Sequence, residues 1–495
     1  MESMAATPTP VNAPDEAPAP RAPLSRPRLW RRRLTQLLGL ACALWLLRFV
    51  YLRLTVMPTP RPGYWEAKIA ALDPPRPDAL PAEEAEQLLQ PGPWEQDQTL
   101  ISLLAGSGRV GGSANRLLRG KWDEEREDII AASRFVRSKA FVEAREELLR
   151  SLEHGWCRGV SAGGATLSPD WANVLPWVGW LQVHARWSQC QGEAMEVPVE
   201  DWIACFRLGR ELSRSRRLQD QYGAWIAQEN TARQMLIAAT ELHGEIDTLA
   251  LARGIDALNP ASAQPSALLE GERLYMHALL ERVYARERGD WLVVSRVPSL
   301  YEENRGRAPV SAPGVWNLTA PLFHDLPTAR QRVDTYFASL DRCTCLAKWA
   351  ETSGFYSASG DFWTRLRPGP LDGIEVFFGG RYAWPDVRLR RYYWMRGTTD
   401  AAMTMLALAG YHRAHGSYPS ALEELVPAWL PRLPIDFADL QVLRYRRLES
   451  GFLLYSVGED GRDNLGRGDL NQELYYYSTP DVVFSAAKRP ELLFP

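Results

Sequence analysis

The sequence predicts an α+β protein: one membrane-spanning helix, a large mostly helical region, and a small C-terminal module of helix plus antiparallel sheet. Three observations predict it. Residues 34–57 form an apolar stretch behind an arginine cluster. Residues 64–395 place apolar side chains at three- and four-residue steps. Residues 442–448 and 452–457 read as two strands joined by a short turn.

Residues 1–33 are rich in Pro and Ala and too poor in large apolar side chains to bury a core, so a disordered tail is expected. Residues 34–57 follow as an anchor. A spanning helix needs about 20 mostly apolar residues, and this stretch reaches that length by including Arg48, which sits near one end and can snorkel with Arg53 to the interface. Trp45 and Tyr51 suit an interfacial belt. Arg26, Arg28, Arg31, Arg32 and Arg33 outnumber the positive charges after the span, which keeps the tail in the cytoplasm and the bulk of the chain outside the inner membrane. A cleaved signal peptide is the competing reading, but Trp45 and Leu46 stand where small residues are wanted. Residues 58–63, Pro-Thr-Pro-Arg-Pro-Gly, form a stiff stalk.

Residues 64–395 read as stacked helical hairpins. Ile129, Ala132, Val136, Ala140, Ala144 and Leu148 mark one buried face; Trp202, Phe206, Gly209 and Leu212 mark a second helix. Residues 222–242 form a third and residues 266–288 a fourth, with Ser266 as its N-cap. Gln228, Glu229 and Asn230 interrupt the third helix with polar groups that need partners if buried, and otherwise mark an exposed face. No fixed repeat period emerges.

Local signatures of chemistry are sparse. Gly106 to Gly111 matches Gly-x-Gly-x-x-Gly, but the flanks are helix-like rather than the strand and helix that a dinucleotide fold supplies. No Gly-x-Ser-x-Gly elbow or His-Glu-x-x-His pair occurs. Cys343 and Cys345 read as small buried hydrophobes, because no further Cys or His stands close by in sequence. Cys157 and Cys190 are a candidate disulfide whose connectivity sequence does not settle. His412 and His415, three apart at a helix end, complement the dipole there. Tyr475, Tyr476 and Tyr477 suit either a groove or a core. The 57 basic and 60 acidic side chains leave a net charge of −3, which gives no electrostatic case for nucleic acid. The cluster from Arg214 to Arg217 lies beside Glu211 and Asp220 and reads as a solvated face.

Residues 396–495 read as the C-terminal module. Residues 399–415 are a proline-free, apolar helix, Gly416 is its left-handed cap, and Pro419 forbids its continuation. A short turn at 421–425, the hairpin and a turn-rich loop at 458–468 follow.

The order of these elements carries a resemblance. Tyr418-Pro419-Ser420, Leu425-Val426-Pro427, Leu433-Pro434-Ile435-Asp436 and the run from Leu454 to Gly461 together resemble the globular domain of type II secretion pseudopilins over residues 399–470. Anchor, helical region and tail together also resemble large envelope proteins of some bacterial groups. The resemblance implies a Ca2+ ion in the polar loop: Asp460 falls on the family's Ser-x-Gly-x-Asp-Gly motif, Asp469 falls near its downstream acidic pair, and Asp463, Asn464 and Glu473 add oxygens. The sequence departs from the family at Asp436-Phe437-Ala438-Asp439, where Pro and Gly are missing. Read without the family, Asp460-Gly461 is an ordinary tight turn.

The expected function is a membrane-anchored, non-enzymatic scaffold or adaptor with envelope or secretion-machine partners. The alternative is an anchored enzyme with its site in the helical region. An acidic or histidine cluster in a deep pocket would favour the enzyme, and an exposed apolar patch the adaptor.

Overall fold

The computed structural model describes residues 26–55, 64–72, 78–89, 127–156, 159–160, 166–167, 171–191, 194–214, 216–240, 245–258, 264–285, 291–297, 313–322, 325–353, 385–449, 451–467 and 481–484. Most of the tail, the stalk, Gly106 to Gly111, Cys157 and Tyr475 to Tyr477 lie outside them. The chain divides into two units, residues 1–56 and 57–495.

The first unit contains helix α1, Arg26–Thr55. At 1.5 Å per residue it is about 45 Å long. Its stretch Arg33–Tyr51 is long and apolar enough to cross a membrane. Leu37, Leu38, Leu44 and Leu47 are all more than half exposed.

The second unit is mostly helical. Its described helices are α2 (Tyr64–Ala70), α3 (Ala82–Leu89), α4 (Glu127–Val136), α5 (Lys139–His154), α6 (Trp171–Cys190), α7 (Glu196–Ser213), α8 (Leu218–Thr240), α9 (Thr248–Leu258), the single turn α10 (Pro265–Leu268), α11 (Glu270–Val283), α12 (Leu326–Ser339), α13 (Leu346–Ser353) and α14 (Pro385–His415). Two-residue strands pair as β1 (Gly159–Val160) with β2 (Thr166–Leu167), and β3 (Tyr284–Ala285) with β4 (Trp291–Leu292). The main sheet is antiparallel, in the order β5 (Arg444–Leu448), β6 (Gly451–Ser456), β7 (Val482–Val483).

Several boundaries correct the sequence reading. The face drawn from Ile129 to Leu148 belongs to two helices. Ser138 caps the second, its Oγ accepting from Phe141 N at 3.2 Å. The helical phase restarts there, so Phe141, Arg145 and Leu148 are buried while Ala140 is exposed. Ser266 is not an N-cap either. It lies inside the turn α10, donating from N and Oγ to the Asp341 carboxylate at 2.9 and 2.7 Å, and the chain breaks at Leu269 before α11 begins. The expected helix from residue 399 starts earlier, at Pro385, so the boundary expected at 395/396 falls inside α14. Its end agrees: Gly416 has φ 70° and donates to His412 O at 2.8 Å.

Helices α8 and α14 run through the middle of this unit and pack on each other. The first half of α14, with Leu389, Tyr392 and Met395, shares a core with α11, α12 and Val457. Its second half, from Ala401 to Leu408, shares another with Trp202, Phe206, Met235, Phe452 and Leu454. The inner face of the sheet therefore completes the core of the helices. A third cluster joins α3 to α7 around Phe141, Trp177, Trp180 and Leu208.

Buried charges stitch the helices together in matched sets. Asp201 on α7, wholly buried, accepts from Arg145 Nε on α5 at 2.6 Å and lies 2.6 Å from His184 Nδ1 on α6. Glu229 on α8, part of the polar trio, takes Arg233 at 2.6 Å and Arg391 of α14 at 2.7 Å. Arg432 grips Asp400 of α14 at 2.8 Å and Asp256 of α9 at 3.0 Å, and Asp400 also accepts from Ile435 N at 2.9 Å. His277 of α11 donates to or accepts from Asp334 Oδ1 through Nε2 at 2.8 Å, and the Trp65 ring stacks on it at 4.7 Å.

Two tests follow from these sets. Arg432→Met strands a buried Asp400 carboxylate; the expected loss in urea denaturation is about 2–3 kcal/mol, on the low side for a broken buried pair because the guanidinium is 31% exposed. An unchanged midpoint would show the clamp to be idle. Burial, above all, lowers the His277 pKa from its ordinary 6.5 against the raising pull of Asp334. The unfolded chain then binds the proton more tightly than the native one, so stability is full above 6.5 and falls as pH drops from there through the lowered native value. His277→Gln should flatten that part of the profile in thermal melts between about pH 7 and pH 5.

Candidate functional site

The C-terminal sheet is assembled on one carboxylate. Asp436, almost wholly buried, accepts from Ala438 N at 2.9 Å, Ser456 Oγ at 2.7 Å and Val457 N at 3.0 Å. Burial, foremost, raises its pKa and the hydrogen bonds oppose that rise. Arg444 of β5 reaches the same carboxylate at 3.3 Å and Asp439 at 2.5 Å. Asp436-Phe437-Ala438-Asp439 thus closes without Pro or Gly: Asp436 makes an Asx turn, and Leu440 takes the left-handed conformation at φ 64°.

The hairpin forms as its residues dictate, with Leu448 opposite Gly451 and Arg444 opposite Tyr455. Tyr445, Phe452 and Leu454 point into the helical core. Leu453, Tyr455 and Val483 lie on the other face. Over that face folds the loop 458–467. Gly466, at φ 76°, rests on Leu453, where a Cβ would come within 2.8 Å of the leucine side chain.

The loop is held by carboxylates, with a different division of labour from the one expected. Asp460 Oδ1 accepts from Arg462 N at 3.0 Å within its own turn. Asp463 Oδ1 accepts from Leu465 N at 2.8 Å and from Tyr455 Oη at 3.0 Å. Burial first, then this hydrogen bond, pushes the Tyr455 pKa up to about 12. Asp481, beside β7 and buried, takes Asn464 N at 3.1 Å and Gly466 N at 2.6 Å. Glu459 ties the loop to α14 through Trp394 Nε1 at 2.8 Å and through Arg390. Sequence reasoning missed the bracing by Asp481 and Glu459; Asp481 stands far along the chain, and nothing next to it announces the contact.

Asp469 and Glu473 lie outside the described residues. No group of three or more His, Cys, Asp or Glu side chains placed to hold a metal ion occurs among the described ones. They bring Asp460 and Asp463 to one loop, each engaged by backbone donors, and do not alone supply the about six to eight oxygens that calcium takes. His412 and His415 are likewise kept apart, stacked on Tyr418 at 4.3 Å and Tyr411 at 4.1 Å. Cys343 and Cys345 are buried.

Between β5 and the loop runs an open groove of ≈ 640 Å³, with Val442, Arg446, Tyr455 and Leu465 in its walls. Leu440, Val442 and Leu465 are 44%, 39% and 56% exposed. Leu465 also has a left-handed backbone, at φ 61°. Arg444 is neutralised by Asp439, whereas Arg446 is exposed. No protein-family model, curated protein or solved structure matches the chain.

Asp481→Ala leaves two backbone N–H groups of the loop unpaired, and the expected loss is about 1–3 kcal/mol in denaturant titration. The same melts in millimolar calcium and in chelator test the proposed ion. A rise in Tm that Asp460→Ala abolishes supports it, and superimposable curves remove it.

Proposed function

We propose that the protein is a membrane-anchored, non-enzymatic adaptor that presents the groove of its C-terminal sheet to a protein partner in the envelope. The anchor is the Arg33–Tyr51 stretch of α1, with the arginines at the N-terminal end of that helix on the cytoplasmic side of the inner membrane and the second unit outside.

One observation carries the reading. Leu440 and Leu465 both hold left-handed backbone, a conformation that costs a branched side chain of order 1 kcal/mol and suits Gly or Asn better. Both side chains are nevertheless spread to solvent beside the same groove. Strain and exposure together, at one place, are the marks of residues kept for a contact. The exposed Arg446 beside them calls for an acidic group, so the partner segment suited to the groove is apolar and flanked by carboxylates. Pseudopilin-like secretion components are the partners that the sequence resemblance suggests.

The test separates folding from function. Asn tolerates the left-handed region, so Leu440→Asn with Leu465→Asn should leave the Tm unchanged or slightly raised. A photo-crosslinker at Val442, used in intact cells, is expected to give a discrete protein adduct that this double variant loses. Absence of a discrete adduct, or its survival in the double variant, would defeat the adaptor reading.

A further inference from the structure

A second cavity, of ≈ 270 Å³, lies among the end of α7, the start of α8, the turn α10 and the middle of α14, with Arg216, Arg396, Gln228, Trp225, Tyr392 and Leu268 in its wall. Among the described residues, no acidic side chain lines it. The cluster from Arg214 to Arg217, expected as a solvated face, is instead partly buried here. Two of its arginines are accounted for by nearby acids: Arg214 pairs with Glu211 at 3.2 Å, and Arg217 pairs with Glu272 at 3.1 Å and covers the Tyr275 ring.

Arg216 is different. Its backbone is left-handed, at φ 51°, and is held from both sides, N donating to Ser213 O at 3.1 Å and O accepting from Glu272 N at 3.0 Å. Its guanidinium has no ion pair or hydrogen bond among the described residues. Across the cavity Arg396 is 2% exposed, with its guanidinium 5.3 Å from the Phe437 ring centre. A guanidinium stays charged wherever it is placed, and the low dielectric around a buried one strengthens its attraction for an anion.

The remaining wall is shaped and rigid. Trp225 and Tyr392 stand 5.5 Å apart and supply apolar faces. Gln221 Nε2 donates to Ser213 O at 2.9 Å and to Leu268 O at 3.0 Å, bracing two walls. Gln228 is seated against Gly209, where a Cβ would lie 2.8 Å from its side chain. Concave, mostly apolar space with a few convergent polar groups is the form of a small-molecule site, and this one is near the small end of the usual range.

We infer that this cavity binds a small oxyanion, carboxylate or phosphate, carried on a flat apolar body. Arg216 engages the oxyanion, Arg396 adds positive potential from the facing wall, and Trp225 and Tyr392 together line one side of the body. The site is separate from the groove and independent of the adaptor reading.

The test uses the full chain in detergent micelles with phenyl phosphate, benzoate, inorganic phosphate and phenol as probes, measured by calorimetric titration and thermal melts. Phenyl phosphate or benzoate is expected to bind saturably and raise the Tm, with phenol and inorganic phosphate weaker. Loss of a charge-assisted hydrogen bond in Arg216→Gln is expected to weaken binding by about ten- to a hundredfold. Ala267→Trp, on an exposed rim position, should block the cavity without touching a charge, and decides the matter if Arg216→Gln does not fold. No saturable binding of either aromatic anion, or unchanged binding in the folded variants, would overturn the proposal. So would phenol or inorganic phosphate binding as tightly as phenyl phosphate.

Discussion

Helix α14 is buried along most of its length and still carries arginines, and the second unit is organised around satisfying them. An uncompensated charge cannot stay in a protein interior, so each guanidinium fixes a position on a neighbour. Arg391 meets Glu229 of α8. Arg390 meets Glu459 at the head of the outer loop. Arg388 lies over the Tyr222 ring at 4.5 Å, and Arg396 over Phe437. Apolar packing alone would let a helix rich in Ala, Met and Leu slide or rotate; the matched charges and rings set its register against both the helices and the sheet.

What was legible in the sequence is what local chemistry decides. Gly416 ends α14 because the left-handed turn needs it, and the hairpin register follows from a short turn between two alternating runs. The start of α14 was hidden by the same arginines that organise the fold, since Arg388, Arg390 and Arg391 look like a solvated end until their partners are known. The break at Ser138 was available as a capping signal but masked by an apolar spacing that continues across it. Of the candidate site, the outer loop and its turn at Asp460 were read correctly as a loop. Its bracing by Asp481, and the exposed leucines beside the groove, depend on the meeting of distant segments and on backbone angles that residue type alone would argue against.

Backbone conformation adds a pattern that side-chain chemistry does not. Among the described residues, the non-glycine positions with left-handed φ are Arg216, Leu440 and Leu465. Arg216 and Leu465 line open spaces, and Leu440 precedes the residue where the groove begins. Local strain is sustained only where surrounding contacts over-determine it. Here the contacts are visible: Ser213 and Glu272 hold Arg216, Asp436 holds Leu440, and Asp463 holds Leu465.

The sharing of one core by Trp202, Met235, Ala401 and Phe452 has a consequence for the order in which the chain matures. Contacts between residues some two hundred positions apart are costly to close and form late. Glu229 on α8 meets Arg391 only after α14 has been made, and the sheet that closes the same core follows later still. Until the last quarter of the chain is made, α7 and α8 lack the residues of α14 and the sheet that cover their apolar faces. The chain's vulnerable interval is therefore its own biogenesis, before the segments that cover those faces have been made.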